Sequence, residues 1–215
     1  MAASTTGSIE VICGSMFSGK TEELLRRLKR AQIAKQRVQV FKPGIDTRYS
    51  ADHVQSHDSA RTLSRPVTRA SEVLQYALDT TRVVGIDEAQ FFDDDLVDVA
   101  QKLANRGIRV IIAGLDMDFR GQPFGPMPKL LSVAEFVTKL HAVCMTCGET
   151  ASRSQRLQSA TSSTSQVLVG AKEYYEARCR FCHEPDAAEQ IDQPLSLSGF
   201  NDELNAEKAT HVQTG

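Results

Sequence analysis

Short apolar runs alternate with amphipathic segments along most of the chain. Runs rich in β-branched and aliphatic residues predict strands at residues 9–13, 37–42, 82–87, 108–113 and 136–143. Apolar residues at helical spacing predict a helix that begins near Lys20 and further helices at residues 70–78, 94–106 and 129–135. Strands that alternate with helices are typical of a parallel sheet with helices on both faces. The pattern therefore predicts an α/β fold.

Three polar segments interrupt this pattern. Residues 45–64 are polar without periodicity, and a polar loop this long in a compact domain is usually functional or disordered. Residues 1–7 are small and polar, and residues 184–215 are polar and acidic with few large apolar residues, so we predict disorder for both. These segments leave a main domain at residues 8–143 and a smaller domain at residues 144–183.

The first predicted strand leads directly into a turn that fits the pattern G-x-x-x-x-G-K-[ST]. Its two glycines let the backbone turn tightly, so that successive N–H groups surround an anion. Lys20 would reach the β- and γ-phosphates of a nucleotide, the Thr21 hydroxyl would hold Mg²⁺, and the following helix adds its positive end. The predicted phosphate-binding loop is Gly14, Ser15, Met16, Phe17, Ser18, Gly19, Lys20 and Thr21. The alternative is a Gly/Ser-rich turn that matches by chance.

A second informative stretch is the strand at residues 82–87, which ends in Asp87 and is followed by Glu88. Ligands of parallel α/β sheets bind beyond the carboxyl ends of the strands, so Asp87 is expected beside the phosphate loop, where it could hold Mg²⁺. Glu88 could accept the proton of an attacking hydroxyl during phosphoryl transfer. The alternative is that Glu88 only caps the helix that follows.

Four of the five cysteines form two C-x-x-C pairs, Cys144 with Cys147 and Cys179 with Cys182. Four thiolates at this spacing suit a closed tetrahedral zinc site with a structural role. His183 is an alternative ligand to Cys182, and four unrelated free cysteines are the alternative to a metal site. A metal here would anchor the ends of the loop at residues 148–178. This loop includes residues 152–165, which are rich in Ser, Thr and Gln and cannot bury enough to order themselves alone. We predict that this stretch closes over a substrate and excludes water.

Composition and charge limit the classes of protein to which this chain is expected to belong. Charged residues make up 24% of the chain and the formal net charge is −2, which does not suggest a nucleic-acid partner. No apolar run approaches the ~20 residues of a membrane span, and the N-terminus lacks the pattern of a secretory signal. The cysteine spacing indicates metal binding rather than disulfides, as expected of a reducing, cytoplasmic location.

Taken together, the motifs resemble those of the cytosolic, zinc-containing, tetrameric type of thymidine kinase over residues 8–183. The shared blocks, in chain order, are G-S-M-F-S-G-K-T-E-E-L, D-T-R-Y-S, I-D-E-A-Q-F-F, G-L-D-M-D-F, P-F-G, C-M-T-C and A-K-E-Y-Y-E-A-R-C-R-F-C-H. The resemblance implies a P-loop NTPase-like parallel sheet with a small zinc-stapled lasso, or lid, domain. It also implies transfer of the ATP γ-phosphate to the 5′-hydroxyl of thymidine or deoxyuridine, which supplies DNA synthesis through nucleotide salvage.

The resemblance further implies roles for individual residues. Glu88 is the expected catalytic base, Asp87 and Gln90 belong to the ATP side, and Asp46 and Arg48 approach the transferred phosphoryl group. The implied nucleoside-binding residues are Met16, Phe91, Leu115, Phe119, Ser154, Leu168, Val169, Gly170, Ala171 and Tyr175. The expected cofactors are structural Zn²⁺ on Cys144, Cys147, Cys179 and Cys182, and Mg²⁺ with ATP on Thr21. A homotetramer and feedback inhibition by dTTP are expected from the family.

Two other interpretations stay open on the sequence alone. A motor or DNA-repair ATPase with a zinc ribbon would use Glu88 to orient water, although the near-neutral chain lacks an aromatic and basic stretch suited to single strands. A zinc-stapled nucleotide-sensing module would bind ATP, but no nucleoside would accelerate its turnover.

Overall fold

The centre of the molecule is a six-stranded parallel sheet. The computed structural model describes residues 6–44, 64–157 and 174–185. The strands are β1 (Ser8–Gly14), β2 (Val38–Pro43), β3 (Ser64–Val67), β4 (Val83–Ile86), β5 (Arg109–Gly114) and β6 (Phe136–Leu140). They lie in the order β3-β2-β4-β5-β1-β6, and every pairing between neighbours is parallel. The predicted α/β class is therefore confirmed.

Helices cover both faces of the sheet, as the sequence predicts. They are α1 (Lys20–Ile33), α2 (Ala70–Tyr76), α3 (Asp95–Asn105) and α4 (Met127–Val133), with a 3₁₀ turn at Ala89–Phe91. Successive strand residues point to opposite faces, so Ile12 packs with Leu24 and Leu28 of α1, whereas Val11 belongs to the core formed with α2, α3 and α4. The sheet therefore has two hydrophobic layers.

Gly85, in the middle of β4, explains how closely α1 approaches the sheet. A Cβ atom at this position would lie 2.8 Å from Cδ1 of Leu28, a side chain that is fully buried. Any larger residue would push the helix away from the sheet. The close packing matters for function because α1 carries Lys20 and Thr21 at its first turn.

The predicted and observed strands differ at two places. Strand β3 was not predicted, and it begins at Ser64, the last residue of a segment predicted to be irregular. It contains Pro66 and buries only Val67, which suits an edge strand and leaves almost no hydrophobic pattern in the sequence. The prediction of one continuous strand at residues 136–143 was wrong. The segment divides into β6 and a short strand, β7 (Ala142–Val143), which pairs instead with β8 (Thr150–Ala151) in a separate two-stranded sheet.

Residues 153–178 include a strand pair that the polar composition of this region did not predict. Strand β9 (Arg153–Arg156) pairs antiparallel with β10 (Tyr175–Arg178), and Ser154 and Arg156 are buried. The described part of the stretch from residue 152 includes β9, which pairs with β10 and buries two polar side chains against neighbouring elements, in agreement with the expectation that the stretch does not order itself alone. Four predicted segments lie wholly or mainly outside the described residues, at 1–5, 45–63, 158–173 and 186–215.

No helix in the described parts of the chain combines the length and the apolar character needed to cross a membrane.

Candidate active site

The glycine-rich turn lies between β1 and α1, with backbone geometry that requires its first glycine. Gly14 has φ of 143°, and a Cβ atom there would lie 2.2 Å from the carbonyl oxygen of Leu140 in β6. Helix α1 begins at Lys20, so its free N–H groups and positive dipole face the turn. The Lys20 Nζ donates to the carbonyl oxygen of Ser15 at 2.7 Å. The turn thus has the form of a phosphate-binding loop.

Two hydroxyl groups of the loop are buried without hydrogen-bond partners. The Oγ atoms of Ser15 and Ser18 bond to no other group within the part of the chain that the structure describes. Buried polar groups normally have partners, and their exceptions cluster where a ligand binds. The loop therefore has unused hydrogen-bonding capacity at the position where the motif predicts phosphates.

Asp87 follows β4 and meets the phosphate loop, as the strand-end argument predicts. The Thr21 hydroxyl lies 3.2 Å from Oδ2 and 3.4 Å from Oδ1 of Asp87. Burial raises the pKa of Asp87 to about 6, and the neighbouring charge of Glu88 adds to the increase. A cation beside Asp87 would offset this cost, because it favours the charged carboxylate. The hydroxyl and carboxylate oxygens are also the donor types that Mg²⁺ prefers.

Glu88 is held in a strained backbone conformation with an exposed side chain. Its φ of 52° lies in the left-handed region, which is uncommon for residues other than glycine and clusters at functional sites. It makes no side-chain capping bond, and α3 begins only at Asp95. The helix-capping alternative therefore has no support in the geometry.

Gln90 fixes the Glu88 side chain. Its Nε2 donates to Oε2 of Glu88 at 2.6 Å, while its Oε1 accepts from the backbone N–H of Leu115 at 2.9 Å. Gln90 thus links the acidic pair to the segment after β5. A direct contact between Gln90 and ATP stays a prediction.

The ammonium group of Lys20 lies in an acidic environment. Burial lowers the Lys20 pKa, and the charges of Glu88, Asp87 and Asp116 oppose that decrease. These three carboxylates therefore lie near the cation that the motif assigns to the phosphates.

Two of the candidate nucleoside-binding residues, Phe119 and Phe91, make defined contacts in the structure. Phe119 is buried; its carbonyl oxygen accepts a hydrogen bond from Nε2 of His183 at 2.8 Å, and the Arg156 guanidinium lies 4.8 Å from its ring centroid. Phe91 meets Phe124 edge to face, with ring centroids 5.6 Å apart. The nucleoside-binding role of both residues stays a prediction.

Strand β9 contacts the phosphate loop directly. The backbone N–H of Met16 donates to Oγ of Ser154 in β9 at 3.0 Å, and Tyr175, which is buried, pairs with Arg156 across the hairpin. The structure thus joins Met16 to Ser154, while the nucleoside-binding role predicted for both residues stays a prediction. Six other predicted site residues lie outside the described residues: Asp46, Arg48, Leu168, Val169, Gly170 and Ala171.

The four predicted cysteine ligands form one cluster. The Sγ atoms of Cys144, Cys147, Cys179 and Cys182 all lie within 4.8 Å of one another, and those of Cys147 and Cys179 are 3.7 Å apart. Four sulfurs at about 2.3 Å from a tetrahedral zinc ion would lie about 3.8 Å from each other. The donor set and spacing therefore fit a metal ion such as zinc. His183 is not part of the cluster, and its ring bonds to Phe119 instead.

Sequence reasoning missed several residues that support the site from outside it. Arg156 and His183 support Phe119, and an ion pair joins Asp116 to Lys139 at 2.6 Å. Asp116 had a usable signal, because it closely follows a buried strand, as Asp87 does. Arg156 had none, since it lies in a stretch of low hydrophobicity.

Comparison with known proteins gives consistent matches. The family model described as thymidine kinase matches residues 7–183. A thymidine kinase of Bacteroides thetaiotaomicron is 58% identical over 177 residues, which cover 82% of this chain and 87% of that protein. The thymidine kinase of Rhodothermus sp. is 59% identical over 181 residues, covering 84% and 83%. That of Bacteroides fragilis is 57% identical over 178 residues, covering 83% and 87%.

Proposed function

The chain belongs to the thymidine kinase family, and from this premise we propose that it transfers the γ-phosphate of ATP to the 5′-hydroxyl of thymidine, with deoxyuridine as a second acceptor. The observation that carries the proposal is the contact of Thr21 with Asp87, which joins the phosphate loop to the acidic pair. Phosphoryl transfer depends on such positioning and charge stabilisation. The product, thymidine monophosphate, supplies DNA synthesis through nucleotide salvage.

The residues from Gly14 to Thr21 bind the triphosphate. Their backbone N–H groups and the start of α1 surround the phosphate oxygens, and the Lys20 ammonium leaves the Ser15 carbonyl to contact the β- and γ-phosphates. Arg48 and Asp46, which approach the transfer site in the family, complete this side. The carbonyl contact of Lys20 supports this role because a neutral acceptor is easily exchanged for a charged one.

Thr21 and Asp87 would hold Mg²⁺. The ion would neutralise charge on the β- and γ-phosphate oxygens when it is bound with ATP. The two side chains already lie within 3.4 Å of each other, and burial raises the pKa of Asp87 to about 6. A carboxylate in this environment gains from a nearby cation.

Glu88 accepts the proton of the 5′-hydroxyl as that oxygen attacks the γ-phosphorus. The Gln90 amide orients the Glu88 carboxylate through one oxygen and leaves the other available to the substrate. Strain in the Glu88 backbone supports this role, since the rest of the site has to maintain it.

The nucleoside lies against Phe91, Leu115 and Phe119, with Met16 beside it. The hairpin and the segment that includes residues 168–171 close over it, with Tyr175 packed alongside. Contact between Ser154 and the Met16 N–H supports this closure, because it places the small domain against the loop. A closed site excludes water, which would otherwise compete with thymidine for the phosphoryl group.

The cysteine cluster would hold a structural Zn²⁺ ion that fixes the base of this lid. Its four thiolates would fill the positions of a tetrahedral ion and leave none open for a substrate. His183 extends the support, since it follows Cys182 and its ring bonds to the Phe119 carbonyl. Residues 8–143 then form the kinase domain and residues 144–183 the lasso domain.

Replacing Cys147 with serine tests the metal site. We expect about one zinc per chain in the original protein and much less in the variant, with a KM for thymidine raised about 10-fold or more because the lid loses its anchor. Elemental analysis and steady-state kinetics measure these quantities. Thr146→Ser is the matched control in the same exposed turn and should leave both unchanged. A Cys147→Ser variant with full zinc content would refute the assignment.

Assembly, regulation and location follow from family membership. We propose a homotetramer inhibited by dTTP, which would bind as an end product across the phosphate and nucleoside sites. The two C-x-x-C pairs suit metal binding rather than disulfides, which supports a reducing, cytoplasmic location.

An ADP-release assay across the four deoxynucleosides and their ribose counterparts tests the function. We expect ATP-dependent turnover with thymidine and deoxyuridine and little with the purine nucleosides, because the enclosed site suits one ring. Equal background ADP release with every nucleoside would contradict the kinase and favour an ATPase.

A further inference from the structure

Three carboxylates lie near the Lys20 ammonium group, yet it forms no ion pair with them among the described residues. They belong to Asp87, Glu88 and Asp116, whose charges favour the protonated form of Lys20 and oppose the pKa decrease caused by burial. The hydrogen bond that Lys20 makes is instead with the Ser15 carbonyl, at 2.7 Å. A partly buried ammonium near three acids would ordinarily pair with one of them.

Each of the three carboxylates is engaged by a different donor. Asp87 and Glu88 contact neutral groups, the Thr21 hydroxyl and the Gln90 amide. Asp116 differs because its partner carries a full charge: its Oδ2 lies 2.6 Å from Nζ of Lys139. Among the described residues, Lys139 is therefore the cation that pairs with this acidic cluster at ion-pair distance and so competes with Lys20 for it.

The Asp116–Lys139 pair lies directly behind the phosphate loop. Cys13, the last residue before Gly14, pairs with Gly114 of β5 on one side and with Lys139 of β6 on the other. Asp116 follows Gly114 by two residues, so the ion pair spans the end of β1. The Asp116 side chain is 8% exposed, and its Oδ1 has no hydrogen-bond partner within the described ranges.

We propose that Lys139 is a positioning residue for ATP: by pairing with Asp116, it prevents that carboxylate from capturing Lys20, which stays available to the triphosphate. The inference rests on the proposed role of Lys20 in binding phosphates. Without Lys139, the buried carboxylate of Asp116 would lose its ion-pair partner, and Lys20 is the cation that the loop can offer in its place. Its negative charge would also repel the phosphates across a poorly screened interior.

The competing explanation is that the pair only stabilises the end of the sheet. In that case, replacing either Asp116 or Lys139 would lower the melting temperature. The additional replacement of Asp116 would then not restore any ATP affinity that Lys139→Met had lost. The two explanations therefore differ in the behaviour of the double variant.

The decisive comparison is between Lys139→Met and the double variant Asp116→Asn/Lys139→Met. We expect Lys139→Met to raise the KM for ATP, and the Kd of a non-hydrolysable ATP analogue, by about 10-fold, with kcat changed less than about 3-fold. Removal of the competing carboxylate in the double variant should return both constants to within about 3-fold of the original values. Lys139→Arg keeps the charge and should resemble the original protein.

Lys129→Met is the matched control, because Lys129 forms an ion pair of similar length, 2.7 Å, with Asp94 on an exposed surface. It should change neither constant. If the melting curve shows that Lys139→Met does not fold, the single variant Asp116→Asn is measured instead. Because it removes the carboxylate that would capture Lys20, its KM for ATP should be equal to or lower than that of the original protein. A rise in that KM, or a double variant as weak as Lys139→Met, would overturn the inference.

Lys20→Met separates this inference from the proposed function. If Lys20→Met binds the ATP analogue as well as the original protein does, the phosphate-loop proposal fails, and this inference fails with it. If Lys20→Met binds weakly and Lys139→Met binds normally, the phosphate-loop proposal holds and the role of Lys139 is refuted.

Discussion

Glu88→Gln is expected to lower kcat by about 10³-fold while the affinity for ATP stays within about 2-fold. The amide has nearly the shape of the carboxylate, but it cannot accept the proton that the 5′-hydroxyl loses during attack. The Gln90 contact to Glu88 can persist with an amide oxygen, so the geometry of the neighbouring residues should be preserved. Single-turnover kinetics with thymidine, together with binding of a non-hydrolysable ATP analogue, separates the chemical step from binding.

Glu22→Gln is the matched control for this variant. Glu22 is an exposed carboxylate in the first turn of α1, close to the same phosphate loop. Its replacement removes one negative charge near ATP without touching the acidic pair, and kcat should change less than about 2-fold. A Glu88→Gln variant with unchanged kcat would refute the assignment of Glu88 as the base.

Lys20→Met should lower kcat/KM for ATP by about 10²- to 10³-fold, because a charge-assisted contact to the transferring phosphoryl group is lost. Methionine keeps much of the apolar length of lysine, so the fold around the buried side chain should persist. The same measurement with thymidine at saturation shows whether the loss lies in ATP use rather than in nucleoside binding.

Lys29→Met controls for the loss of a positive charge on α1. Lys29 is exposed in the middle of that helix, away from its first turn. We expect kcat/KM within about 2-fold of the original value and a similar melting temperature. Equal losses for Lys20→Met and Lys29→Met would mean that general electrostatics, rather than the loop contact, governs ATP use.

The parts of the site that could be predicted are those with local physical requirements. Gly14 has to be glycine because a side chain would meet the Leu140 carbonyl, and this requirement is visible as a fixed position in a short motif. Asp87 was placed correctly beside Thr21 because strand ends of a parallel sheet share one edge. The cysteines converge for a similar reason, since two tight turns with fixed spacing indicate a common ion.

The features that escaped prediction depend on contacts between distant segments. Strand β3 was not predicted because this edge strand contains Pro66 and buries only one residue. The hairpin of β9 and β10 buries Ser154 and Arg156, so its stability comes from neighbours that composition does not show. The pairing of Asp116 with Lys139 required the order of β5, β1 and β6, which no local spacing encodes.

The hydrogen bond from the Met16 N–H to Ser154 has a thermodynamic meaning beyond closure. In the proposed mechanism, it connects the loop that would bind ATP to the strand that would cover thymidine. If ATP binding changes this contact, it also changes the free energy of thymidine binding. Linkage requires this influence to be equal in both directions: if ATP strengthens thymidine binding by some factor, thymidine strengthens ATP binding by the same factor.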